Sequence, residues 1–133
     1  WWHLARTGAA PAFPFGFGLS YTSFALADVD VASDGDGVTV RGAVRNTGDR
    51  DGADVVQVYA ELPDLQAPAR LVGFLRVIVP ANGQASFEVR VPADRLATRD
   101  PDARSWRPAA GRHRIVVARF AGDPDAVRLE IAL

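Results

Sequence analysis

The feature that most constrains this chain is a two-residue hydrophobic period that starts near residue 24 and continues to the C-terminus. Alternate side chains of a β-strand leave on opposite faces, so such a period marks strands with one buried face. Val38, Val40 and Val44 alternate with Thr39, Arg41 and Arg45, and Ala85, Phe87, Val89 and Val91 with Ser86, Glu88 and Arg90. His113, Ile115 and Val117 share a phase, as do Val127, Leu129, Ile131 and Leu133, with Arg128 and Glu130 on the other side. "ADVVQVYAEL" (53–62) and "LVGFLRVIV" (71–79) are more uniformly apolar and suit central strands. The first strand is out of phase with itself: Phe24 and Leu26 match Val29 and Val31 only if one residue is inserted, which predicts a β-bulge near Ala27-Asp28. "SDGDG" (33–37), "NTGDRDG" (46–52), "PANG" (80–83) and "AGDPD" (121–125) are turn chemistry between strands. Residues 92–106 carry one helical turn around Asp94–Thr98 and then an irregular stretch. About seven short strands without a long helix predict an all-β, antiparallel sandwich.

A chain of 133 residues is one domain's worth, with residues 1–22 as an approach segment and 23–133 as the sandwich. The 48% hydrophobic content supports a true core, and no apolar run reaches the length of a membrane span. No signal-peptide pattern is present, and the absence of Met together with a Trp1-Trp2 start leads us to expect a piece of a longer protein. A net charge of −1 exerts no global pull toward nucleic acid or membrane. The charge is nevertheless uneven: nine acids face three Arg between Asp28 and Asp64, and seven Arg face two Asp between Arg95 and Arg119. A solvated surface is the expected meaning, and a docking or dimerising face the sharper one. All 15 basic residues are Arg, a bias of the coding sequence rather than a mechanism.

Chemistry has few places to sit. Without cysteine there is no disulfide, thiolate or Cys-based zinc site, and two histidines do not make a metal centre, so neither metal nor cofactor is expected. Gly16-Phe17-Gly18 lacks the strand-before and helix-after context of a phosphate loop, and a proline precedes it. Ser20 stands in half of a nucleophile elbow, with Thr22 where the second glycine belongs. His113 falls at an inward strand position and reads as a core ring, while "DGDGVT" reads as a hairpin rather than a calcium loop. The carboxylates lie in turns or at outward positions, so no acid/base pair is nominated. Trp106 among Arg104, Arg107, Arg112 and Arg114 is thin support for nucleic-acid binding. The aromatics ahead of the sandwich carry more content. Trp1, Trp2, Phe13, Phe15 and Phe17 cannot all enter one core, and an exposed aromatic patch marks an interface. Inter-domain packing is the expected use, with carbohydrate stacking as its rival; Leu19, Tyr21 and Phe24 read as the chain's way into the sandwich.

"PAFPFGFGLSYTSF" (11–24) resembles the Pro-Leu-Phe-Pro-Phe-Gly-x-Gly-Leu-Ser-Tyr-Thr-x-Phe signature that leads into the C-terminal fibronectin type III-like domain of family 3 glycoside hydrolases. "VRNTGDRDGADVVQVYAELP" (44–63), "LVGFLRVIVPANGQASFEVRV" (71–91) and "WRPAAGRHRIVVARF" (106–120) are similar, in order, to later segments of that domain. Asp54, Phe17 and His113 depart from the usual Glu, Tyr or His, and Tyr, without disturbing the fold. The resemblance implies an immunoglobulin-like sandwich with no catalytic residue of its own. The catalytic carboxylates would lie in upstream domains of a retaining exo-glycosidase of the β-glucosidase or β-xylosidase kind. Those upstream domains are the implied partners, with a homodimer of the parent as a further one, and direct carbohydrate binding by this domain is not expected. The role implied is to stabilise the catalytic domains and to shape the active-site entrance. Loop 62–70 or the stretch 92–106, with Asp100, Arg104 and Trp106, is the candidate for reaching that entrance; a carbohydrate-binding module or an association domain is the alternative.

Overall fold

The computed structural model of the chain describes residues 2–61, 68–100, 102–107 and 111–132. A short helix, α1 (Trp2–Thr7), precedes the strands. The strands follow as β1 (Phe24–Ser33), β2 (Gly37–Asn46), β3 (Gly52–Glu61), β4 (Arg70–Val79) and β5 (Gln84–Pro92). A helical turn, α2 (Ala93–Leu96), leads to β6 (Thr98–Asp100), β7 (Ser105–Arg107), β8 (Arg112–Ala118) and β9 (Val127–Ala132). One antiparallel sheet has the order β1-β2-β5, the other β4-β3-β8-β9, and β6-β7 form a separate ribbon. The seven long strands are the sandwich that the alternation demands.

The phases read from the sequence meet in one core. Val38, Val40, Val44, Val56, Val58, Val79, Val91, Ile115 and Val117 are fully buried, and Phe24, Phe87, Val89 and Leu96 pack with them. His113 is buried at its inward position. The bulge is present where the phase broke: the β1–β2 register shifts between Ala27 and Asp30, and Asp28 takes a φ of 52°. An inserted residue in a left-handed conformation lets Val29 and Val31 return to the inner face.

Three expectations change. The 71–79 strand is an edge, pairing with β3 alone. Its second apolar face therefore has no cover, and Phe74 and Ile78 are each 68% exposed. The stretch after α2 is ordered as the β6-β7 ribbon, because Asp100 builds its turn by accepting the backbone N–H groups of Asp102 (2.9 Å) and Ala103 (3.0 Å). Leu19 and Tyr21 do not enter the sandwich; they stand 95% and 93% exposed, and Phe24 alone of that trio is buried.

The charge asymmetry dissolves on folding. Acids of the first half pair with Arg on the same sheet (Arg41–Glu88, Arg45–Asp28, Arg90–Asp34), and Arg of the second half pair with Glu61, Asp123 and Glu130. Two sequence-distant runs of opposite sign become interleaved neighbours, which leaves no large single-sign face for a dimer to use.

Candidate functional site

The outer face of the β4-β3-β8-β9 sheet is crossed by the segment ahead of β1, and the crossing depends on Gly16. Pro14 C=O accepts from Phe17 N–H (3.1 Å) in a tight turn that puts Gly16 at φ 80°. A Cβ there would lie 2.1 Å from Gln57 Nε2, so both backbone conformation and space require glycine. Gln57 is buried; it donates to Arg119 C=O (2.9 Å) and accepts from the Tyr59 hydroxyl. Burial pushes the Tyr59 phenol up to about 12. On the other side of the turn Phe15 C=O accepts from Ala121 N–H (2.9 Å). Phe17 meets Phe120 edge-on at 5.3 Å, and Phe13 stacks on Phe17 at 5.9 Å. The segment is thus a strap fastened to the sheet. Beneath it lies a mostly apolar cavity of about 320 Å³ walled by Ala5, Phe15, Tyr59, Val116 and Ala126 among others.

The strap turns its remaining apolar groups outward. Phe13 is 73% exposed and Phe15 and Phe17 are half-covered, as the sequence led us to expect of a face awaiting a neighbour. Trp1 and the side chain of Trp2 lie outside the described residues. Sequence reasoning missed four members of the patch: Leu19, Tyr21, Phe74 and Ile78. Phe74 pairs across the ladder with Gln57 and Ile78 with Ala53, so both stand on the side of the sheet that carries the strap. The signal for the β4 pair was present in the uniform apolarity of 71–79, taken above as a sign of a central strand. The patch is larger than a scatter of single exposed side chains, which is the mark of an interface.

Nearly all carboxylates lie in turns or at exposed positions, but three do not follow that expectation. Asp100 and Asp123 are buried and Asp54 is partly so. Asp100 faces the body of the domain and pairs with Arg107; the N–H bond from Ala103 leads in holding its carboxyl below the ordinary value. Asp123 accepts from the backbone N–H (3.1 Å) and Nε (3.2 Å) of Arg119 and from Asp125 N–H (3.0 Å). Asp54 lines a groove with Phe17, Leu19, Arg119 and Phe120. Burial raises its carboxyl above the ordinary 3.8, outweighing the Val55 N–H and Arg119, while Asp123 adds repulsion. A carboxyl whose folded pKa exceeds its unfolded one holds its proton more tightly when folded, so stability falls as pH climbs from the unfolded value through the folded one. Asp54→Asn is therefore expected to raise the melting temperature at pH 7 and leave it unchanged at pH ~3, below the unfolded value. A lower melting temperature at pH 7 would mean that attraction to Arg119 outweighs the burial.

The second group singled out from sequence is divided by the ribbon. Asp100 is structural, while Arg104, at φ 50° in the turn, and Trp106, 61% exposed, point away from the body. Arg99 stands directly opposite Trp106 in the ladder and is also exposed. The root is held by Arg70, whose guanidinium donates to Arg95 C=O and to Ala97 C=O (3.1 Å), and by the buried Leu96. Of loop 62–70, residues 62–67 lie outside the described residues.

Comparison with known proteins fits this geometry. Residues 54–121 match the family model of the fibronectin type III-like domain. The chain is 38% identical to a β-glucosidase of Rhizobium radiobacter over 123 residues, covering 85% of this chain and 14% of the relative. It is 34% identical to a xylan 1,4-β-xylosidase of Xylanibacter ruminicola over 125 residues, covering 91% of this chain and 14% of the relative. Among solved structures, a family 3 (GH3) β-glucosidase of Bifidobacterium adolescentis superposes with a TM-score of 0.89 at 30% identity, covering 98% of this chain and 20% of that one. The β-glucosidase DesR of Streptomyces venezuelae, solved with D-glucose, gives 0.87 at 30% identity, covering 97% and 17%. The chain therefore spans less than a fifth of the length of these curated relatives.

Proposed function

Because this chain belongs to the fibronectin type III-like domain family, we propose that it serves as the non-catalytic C-terminal domain of a longer family 3 glycoside hydrolase, where it braces the catalytic domains. The observation that carries this reading is the apolar face formed by Phe13, Leu19, Tyr21, Phe74 and Ile78. Two of these are almost wholly in solvent, a costly arrangement for a domain that works alone. The relatives supply a reason for it, since in each the matching part is a small fraction of a much longer chain. The parent activity that follows is hydrolysis of β-glucosides or β-xylosides, with its acid/base carboxylates upstream. Within this chain Asp123 supports the non-catalytic assignment: both its oxygens already accept N–H groups, so it has no free role in proton transfer.

The test uses Leu19→Ser and Tyr21→Ser, whose side chains contribute little to the isolated domain. Each change is expected to leave the melting temperature of the domain alone within about 1 °C, since exposed substitutions act weakly. In the longer chain each is expected to destabilise by about 2 kcal/mol, the scale of burying one such side chain. Equal, small effects in both contexts would defeat the bracing role. Phe15 is a poorer probe, because its ring already lies against its own sheet.

A further inference from the structure

The β6-β7 ribbon has two unlike faces. One is locked inward by Asp100 and Arg107, and its turn and root are fixed by backbone bonds and by Arg70. The other presents Trp106 with Arg99 directly opposite and Arg104 at the tip. Among the described residues no carboxylate lies within ion-pair distance of Arg99 or Arg104, although every other Arg of the segment 107–119 has one. An exposed indole on a stiff, prearranged hairpin adds nothing to the core, yet its ordering cost is already met before any ligand arrives.

The surroundings of the indole decide what it fits. Protein-docking anchors sit among other apolar groups, as Leu19, Tyr21, Phe74 and Ile78 do on the outer sheet face. Trp106 has guanidinium groups beside it instead. A flat apolar ring flanked by hydrogen-bond donors matches a pyranose, whose C–H face stacks on the indole while its hydroxyls accept from Arg. The position agrees. Arg70, at the start of β4, bonds to the ribbon root, and Ala5 of α1 shares a cavity with Glu61, Pro68 and Arg128. The ribbon and α1 therefore lie toward the same end of the sandwich, the end at which preceding parts of a longer chain connect.

We infer that Trp106 and Arg99 form a sugar-contacting element that holds units of an oligosaccharide beyond the one being cleaved. This rests on the glycosidase reading above. The experiment compares wild type, Trp106→Ala, Trp106→Phe and Arg99→Ala in the longer chain, with cellotetraose and xylotetraose set against the aryl monoglycosides. Loss of a contact made equally in ground and transition states raises KM and spares kcat. Trp106→Ala is expected to raise KM for the better tetrasaccharide about tenfold, with Arg99→Ala somewhat less and Trp106→Phe largely restored. KM for the aryl monoglycoside and the melting temperature should not move. An unchanged tetrasaccharide KM overturns the inference and leaves the glycosidase reading standing. A rise in both KM values with a lower melting temperature also overturns it, placing the ribbon against protein instead. A longer wild-type chain that cleaves no glycoside removes the reading itself.

Discussion

Replacing Asp123 by Ala is expected to remove about 3 kcal/mol of stability, the largest single loss we foresee in this domain. The carboxylate is 1% exposed at the β8–β9 turn and neutralises Arg119, whose side chain is itself only 24% exposed. Arg119 in turn donates to Phe24 C=O (3.0 Å) at the first residue of β1, so one ion pair joins the edge of one sheet to the turn of the other. Without Asp123 the guanidinium keeps Asp125 at 3.6 Å, a partner 82% exposed and therefore weak. The removed carboxylate also leaves the backbone N–H groups of Arg119 and Asp125 without their acceptor. Thermal unfolding of the isolated domain should show a fall of roughly 10 °C for Ala. Asn, which retains an acceptor oxygen, should lose less. A change under about 0.5 kcal/mol for Ala would show that the pair is solvent-screened and not structural.

Asn46→Ala is expected to cost nearly as much, about 2–3 kcal/mol. Asn46 is 3% exposed at the end of β2, and all of its polar capacity is engaged. Its amide donates to Arg50 C=O (2.7 Å) and Val79 C=O (3.2 Å), and its oxygen accepts from Gly48 N–H (3.1 Å) and the Thr22 hydroxyl. One side chain therefore ties the β2–β3 turn to the end of β4 and to the last residues of the strap. Truncation leaves several of these groups without a partner in a place water reaches poorly. Asn46→Asp sharpens the test: it keeps the two acceptor contacts but sets a carboxylate oxygen against two carbonyls, and should be at least as damaging. Urea unfolding of both variants measures this. An Ala variant within about 0.5 kcal/mol of wild type would mean that the turn holds through its backbone bonds alone.

Both nodes lie in segments that sequence reading takes as ordinary turns, "NTGDRDG" and "AGDPD". Asp and Asn are common in turns because they bond locally, and Asn46 to Gly48 and Asp123 to Asp125 do so. What makes them costly to change is the second set of contacts, to Val79 and Thr22 in one case and to Arg119 in the other. Those partners become neighbours only when the sheets stack. The same holds for the docking face. Leu19 and Tyr21 lie in the most recognisable run of the chain, yet their exposure depends on where the strap is fastened, through Gly16 to Gln57 and Phe15 to Ala121.

The sequence by itself determined the strands, their inward faces, the β1 bulge and the family, because alternation, phase breaks and turn residues act between near neighbours along the chain. Tertiary structure decided everything that depends on the second face of an element. It made 71–79 an edge with Phe74 and Ile78 uncovered, and it gathered Arg119 and Asp123 under Phe24. It paired 98–100 with 105–107 so that Trp106 stands beside Arg99. A two-residue period states which side chains share a face; only the packed sheets state what, if anything, lies against it.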